Sequence, residues 1–269
     1  MADPLISTQR RYYLQKPPLL LIILAALILI LIAAPVIFIL LKIDGEFVRV
    51  WMWDRQMLRA IFLSFAAAAC ATVIAVVLGV PLAYLCARYR FPGRSIIEGL
   101  ITLPILIPHV AAGVALLVAF GRDSLMGRAL QASGLQLIDS FFGIVAAMLF
   151  VSFAFLFSAV RDGFIATGNR SEAAARLLGA GKLRAFWTVA LPQVRRHIVS
   201  GSVMMWARGI SEFGAIVIIA YHPMVASVLL YQRLNAHGLA YARPVAIMLI
   251  LISLLILIPI SLLNRRREN

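Results

Sequence analysis

Charge is what this chain has least of. Asp, Glu, Lys and Arg together make 13% of 269 residues, hydrophobic residues make 63%, and the mean hydropathy is +0.98. A soluble domain carries about twice that charge, so a chain folding freely in water is excluded. Acid is scarcer still, 11 Asp and Glu against 25 Lys and Arg, and no pair of carboxylates is spaced for acid–base work. The two cysteines, Cys70 and Cys86, fall in one apolar stretch; they read as lipid-facing or packing residues in preference to a disulfide or metal pair. The four histidines (His109, His197, His222 and His237) have no ligand spacing. No Ser-His-Asp set and no phosphate loop appear, so the sequence argues for no enzyme and no metal, and any ATP chemistry belongs to another polypeptide.

What is present is apolar sequence in long runs. The intervals Lys16–Lys42, Arg59–Arg88, Glu98–Arg122, Asp139–Arg161 and Arg243–Arg265 enclose no charge, and each is long enough to cross a bilayer. A further segment, His197 to Tyr221, is long enough but holds Arg208 and Glu212. The spacing predicts an all-α membrane protein with six transmembrane helices, at about 17–42, 59–87, 95–121, 140–160, 197–221 and 243–264. The runs are too long for the alternating strands of a membrane β-barrel.

Basic residues set the expected orientation. Residues 1–16, the 88–94 turn, the 161–196 interval and the 265–269 tail hold 16 Lys and Arg; the opposite loops hold 8, and Arg208 lies within a span. Both termini and the 161–196 loop are therefore expected in the cytoplasm of a multi-pass protein of the cell (inner) membrane. The stretch "TQRRYYLQK" reads as a flank of the first span and not as a cleaved leader. The net charge of +14 follows from this topology, with the lipid bilayer as neutralising partner. The dispersed basic residues carry no nucleic-acid signal.

The longest polar interval holds "SEAAARLLGAGKLRAFWTVALP", residues 171–192. Ser171 is the expected N-cap, and Glu172 places negative charge in the first turn. Ala173, Ala174, Leu177 and Leu178 recur at helical spacing. Gly179-Ala180-Gly181 breaks the helix, and a second, Lys182–Leu191, is expected to stop at Pro192. Such a hairpin either rests on lipid headgroups or docks as a knob into a soluble partner.

This stretch resembles the EAA loop of bacterial and archaeal ABC importer permeases. The family pattern sets an EAA element, a glycine, nine residues, then I-x-L-P. Gly179 to Pro192 keeps that spacing, with Val189 in place of Ile and Leu191-Pro192 intact, while Glu172 stands one position farther from the glycine than is usual. The runs "LPILIPH" (103–109) and "GISEFG" (209–214) look most like the molybdate/tungstate permeases within the sulfate/molybdate group. The resemblance implies a type I importer permease in which Glu172, Ala173, Ala174, Gly179, Ala180, Val189, Leu191 and Pro192 belong to the coupling helix that enters a cleft of the ATPase. It also implies a second copy of the chain, two cytoplasmic ABC ATPase subunits carrying ATP and Mg, and an external oxyanion-binding protein. Sulfate or thiosulfate is the nearest rival cargo; a secondary transporter or membrane scaffold is the rival class.

The same resemblance makes Pro104, Pro108, His109, Arg208, Gly209, Ser211, Glu212 and Gly214 candidates for the translocation pathway or dimer interface. On the residues themselves, Pro104 and Pro108 kink a span either as a gate or as simple packing. His109 meets a passing anion or a backbone carbonyl. Arg208 and Glu212, four apart on one helical face, form a structural ion pair or line the pathway. Gly209, Ser211 and Gly214 are small enough for another helix to approach closely.

Overall fold

A computed structural model describes residues 18–43, 45, 47 and 52–265, with side chains to 255. The N-terminal flank expected at 1–16 and the tail beyond Arg265 lie outside the described residues. Every regular element described is helical. The chain divides into two compact units, Met1–Trp53 with Ala246–Asn269, and Asp54–Val245.

In the first unit α1 (Leu19–Leu40) has no buried residue and contains Pro35. Its apolar surface on every side is what lipid, and not water, accommodates. The second unit holds α2 (Arg55–Arg88), α3 (Arg94–Leu106), α4 (His109–Phe120), α5 (Leu125–Ala132), α6 (Phe141–Thr167), α7 (Arg170–Leu177), α8 (Lys182–Ala185), a π-helical turn (Phe186–Ala190), α9 (Leu191–Ile210), α10 (Ile216–Ile219) and α11 (Ala226–His237). The unit boundary falls within α12 (Leu239–Arg265).

The core of the second unit forms where α2 and α9 pack on α6. From α6 come the fully buried Ile144, Met148, Leu156, Phe157 and Phe164; from α2 comes a face of small residues, Ala67, Ala68, Ala71, Ala75 and Ala83. The small face lets the helices approach closely, which in lipid replaces the hydrophobic drive with dispersion contact. A Cβ on Gly79 would stand 2.7 Å from the Phe153 ring, and one on Gly201 would stand 3.0 Å from Ala159. Ser64 and Thr72 on α2 satisfy their hydroxyls locally, each donating to the carbonyl four residues back.

Asp54 starts α2 by accepting from the amides of Gln56 (2.8 Å) and Met57 (3.2 Å). Its other oxygen accepts from Arg233 of α11 at 2.6 Å. Burial raises the Asp54 carboxyl, but the Arg233 hydrogen bond and charge, with the two amides, hold it below the usual carboxylate range.

Among the described residues three helices are long and apolar enough to cross a membrane: Leu19–Leu40, Arg55–Arg88 and Phe141–Thr167. The bent pair α4 and α5 raises the number to four if counted as one span. Two of the expected spans are discontinuous. The 95–121 segment is not one kinked helix: α3 ends at Leu106 and α4 begins at His109. Pro104 is accommodated inside α3, whereas Pro108 pushes Ile107 into extended backbone (φ −84°, ψ 147°) and so ends the helix. The 197–221 segment stops at Ile210 and resumes only for Ile216–Ile219. There the amide of Ala215 bonds to the Glu212 side chain at 3.0 Å, a local capping bond that competes with helix continuation.

Candidate functional site

The EAA-like segment has two faces. Inward, Glu172 is buried. Its Oε1 accepts from Arg88 Nε at 2.8 Å and its Oε2 from the Tyr84 hydroxyl at 2.7 Å. The same guanidinium donates to the carbonyls of Phe164 and Gly168 and to Thr167 Oγ1, and it lies over the Phe164 ring. Arg88 thus ties the end of α2, the end of α6 and the start of α7 together, at a helix C-terminus whose free carbonyls favour a cation. Tyr84 also packs edge-on against Phe186, ring centroids 4.7 Å apart.

Outward, the segment is bare. Leu177 and Leu178 are each 90% exposed, and Leu183 and Trp187 are also exposed. Between them Gly179 takes a left-handed conformation (φ +91°), with nothing within 4 Å of where a Cβ would stand. Only a residue tolerant of that conformation turns the chain there without strain. Ala174 and Ala180 flank this surface, Ala173 and Val189 are half-buried, and Leu191 and Pro192 lead into α9.

Two local expectations are corrected. The N-cap of α7 is Asn169, not Ser171. Pro192 does not stop the second helix: it sits in the first turn of α9, where a missing N–H is tolerated. The π-helical turn before it, closed by the Leu191 amide on the Phe186 carbonyl, absorbs the change of register. The sequence reading also missed Arg88 and Tyr84. The available signal was an arginine ending a charge-free stretch on the side where buried Glu172 needed a cation.

The second cluster lies at the other end of α9. Glu212 is 1% exposed, and its Oε2 stands 3.0 Å from Arg208 Nη2 and 3.1 Å from His109 Nδ1. Arg208 Nη2 is also 2.8 Å from His109 Nε2. The same nitrogen is 3.1 Å from His109 Nδ1, so guanidinium and imidazole lie side by side with both directed at the one carboxylate oxygen. Arg208 Nη1 donates to Ser211 Oγ at 3.3 Å, and the Glu212 carbonyl accepts from Ser227 Oγ at 2.7 Å. His109 therefore meets the carboxylate and the guanidinium, not a backbone carbonyl.

The two helix breaks meet here. A Cβ on Gly214 would stand 2.8 Å from His109 Cβ, and one on Gly113 would stand 2.8 Å from the Ala215 carbonyl. Gly209 faces Ala68 and Met148. The smallness of Gly209 and Gly214 thus serves contacts within this chain, whereas Ser211 is exposed. Pro104 and Pro108 frame the same break, and the Pro108 carbonyl accepts from the Ala112 amide at 3.1 Å at the start of α4.

Two cavities of about 490 and 520 Å³ open on this unit. One is lined only by apolar side chains such as Ile74, Pro104 and Phe150; the other, along Val80, Phe186 and Ile198, has Arg195 as its one charged wall residue. Among the described residues no three His, Cys, Asp or Glu side chains gather as metal ligands.

Residues 79–269 match the family described as binding-protein-dependent transport system inner membrane component. A molybdate/tungstate transport system permease protein of Thermococcus kodakarensis is 41% identical over 87% of this chain and 89% of its own length. The Pyrococcus furiosus protein of the same description is 39% identical over 87% and 89%. In fold, the chain is similar to a bacterial ABC transporter involved in import of the acidic polysaccharide alginate, with a TM-score of 0.69 at 18% identity, covering 98% of this chain and 99% of that one.

Proposed function

The chain belongs to the family of binding-protein-dependent transport system inner membrane components, and from that premise we propose how it works as the permease of an ATP-driven importer. Its cargo is a tetrahedral oxyanion, molybdate or tungstate, the substrates in the names of its relatives. The chain crosses the inner membrane six times with both termini in the cytoplasm, counting the broken segments 94–120 and 191–219 as one crossing each. A second copy completes the pathway, and two ATPase subunits, carrying ATP and Mg, dock on the cytoplasmic side. An external binding protein delivers the anion. This chain binds no cofactor and catalyses no reaction.

The observation that carries this reading is the run of α9. It continues without interruption from Leu191 to Ile210, with the knob that exposes Leu177, Leu178, Leu183 and Trp187 at one end and the His109–Arg208–Glu212 cluster at the other. At a rise of 1.5 Å per residue, Arg208 lies about 26 Å from Leu191. A helix of that length passes a displacement of the knob to the cluster as a rigid rod. The knob is tethered inside by Arg88 and free outside, as a surface that takes up motion from a separate ATPase must be. Alternating access follows if ATP-driven closure of the ATPases moves α9 against α4 at the two helix breaks, where backbone already departs from the helical hydrogen-bond ladder.

Co-purification from native membranes tests the assembly: an ATPase subunit should come down in equal amount with this chain. A chain that purifies alone from membranes in which it is active would contradict the reading.

A further inference from the structure

Glu212 and the cargo are chemically alike at the atoms that matter: each offers anionic oxygens to N–H donors. The carboxylate is almost wholly buried, whereas the side chains of Arg208 and His109 remain 25% and 37% exposed. The two donors converge on one carboxylate oxygen, Oε2, while Oε1 is held separately by the Ala215 amide. An anion arriving from the exposed side therefore meets both donors without displacing the buried acid from its backbone anchor. A guanidinium matches paired oxygens of such an anion with parallel N–H bonds.

We propose that Glu212 is an internal oxyanion that occupies Arg208 and His109 when the pathway is empty, and that the incoming tetrahedral dianion takes those donors from it. The inference rests on the oxyanion-import reading above and assigns the contact residues within it. Exchange has two consequences. Arg208 and His109 change partner without being left unpaired, while Glu212 keeps the Ala215 amide on Oε1 but loses both donors on its buried Oε2, a cost that cargo binding has to offset. The bonds that join the α4 start (His109) to the 211–215 break are loosened when, and only when, cargo is present. The carboxylate also sets the affinity, because cargo must compete with a tethered rival; that keeps the anion weakly held and easily released. Ser211, exposed beside the guanidinium, accepts from Arg208 Nη1 and donates to the Arg208 carbonyl, which holds the arginine in place.

The test is equilibrium binding of radiolabelled molybdate to the purified permease–ATPase complex, without binding protein, beside uptake by the parent complex with it. Glu212→Gln keeps an oxygen for the Ala215 amide and removes the competing charge, so it should bind molybdate about tenfold more tightly, the worth of one charge-assisted hydrogen bond. Adding Arg208→Gln to that variant should abolish the gain. If Glu212→Gln does not assemble, Glu212→Asp, which keeps the charge but withdraws it by one methylene, decides the matter by the same increase in affinity. Unchanged affinity in the assembled variant, or tight binding that survives Arg208→Gln, overturns the exchange. Parent complex that imports molybdate while the variant shows no gain rejects the exchange alone. Parent complex that imports no tetrahedral oxyanion rejects the transport reading and the exchange with it.

Discussion

At the scale of single residues, what matters is which ion pairs are closed to water. Arg88–Glu172 is almost fully enclosed, with side chains 9% and 5% exposed. Arg94–Glu98, a pair four apart on α3, is 31% and 23% exposed. Removing one partner of an enclosed pair leaves an uncompensated charge and costs about 3–5 kcal/mol, whereas an open pair contributes at most about 1 kcal/mol. Arg88→Ala should therefore lower the unfolding temperature in detergent by far more than Arg94→Ala, and it should loosen the 170–192 segment to proteolysis. Equal effects of the two substitutions would mean that Arg88 is not the tether.

Glu212 obeys the same rule with a third member. Arg208→Ala strands its carboxylate and should destabilise by a few kcal/mol. Replacing Arg208 and Glu212 together with apolar residues should restore much of that stability, short of full recovery because His109 Nδ1 then loses its acceptor. Thermal unfolding of the two variants beside the parent measures this; a double variant no better than Arg208→Ala would contradict the pairing. Uptake separates stability from function: a double variant that folds but does not transport supports a pathway role for Arg208.

Elements bring in geometry that composition does not contain. Gly179 sits at φ +91° in open space, so Gly179→Ala and Gly179→Trp share the same backbone strain and differ only in bulk on the outer surface. If that surface docks the ATPase, Gly179→Trp should lose ATPase binding and uptake while Gly179→Ala retains a substantial part of both. If the segment merely rests on headgroups, the indole is tolerated and the two variants behave alike. The anchor between α2 and α11 gives a pH dependence. Because the folded Asp54 carboxyl is held below its usual range, its contribution is present above the unfolded value, about 3.9, and is lost as pH falls through the lower folded value. Asp54→Asn should thus unfold earlier than the parent near neutral pH, with the gap closing below about pH 4. A gap independent of pH would assign the loss to packing instead.

The elements also show why some of this was legible and some was not. α1, α2 and α6 stand where charge-free runs of bilayer length stand, since length and hydropathy alone specify them. The Gly179 turn was legible because one residue type suits it. The Ile107–Pro108 break was half legible: proline announced an irregularity, but whether the helix bends or ends depends on what receives the freed backbone. Arg208–Glu212 could be read from a four-residue spacing. His109 could not be added to it, because it lies 99 residues from Arg208 and only the packing of Gly214 and Gly113 against α4 brings the two breaks together. Arg88 and Tyr84 escaped for the same reason, being 84 and 88 residues from Glu172.

At the scale of the whole molecule, α9 joins the exposed segment before Leu191 to a charged cluster about 26 Å along the helix from that residue. The proposed function makes transport a property of an assembly, and the most direct measurement is accumulation of radiolabelled molybdate in proteoliposomes holding this chain, the proposed ATPase and external binding protein, and MgATP. The account predicts accumulation that requires all components, is blocked by Gly179→Trp, and is displaced by excess tungstate. Accumulation that persists without the ATPase, or that Gly179→Trp leaves intact, would contradict it.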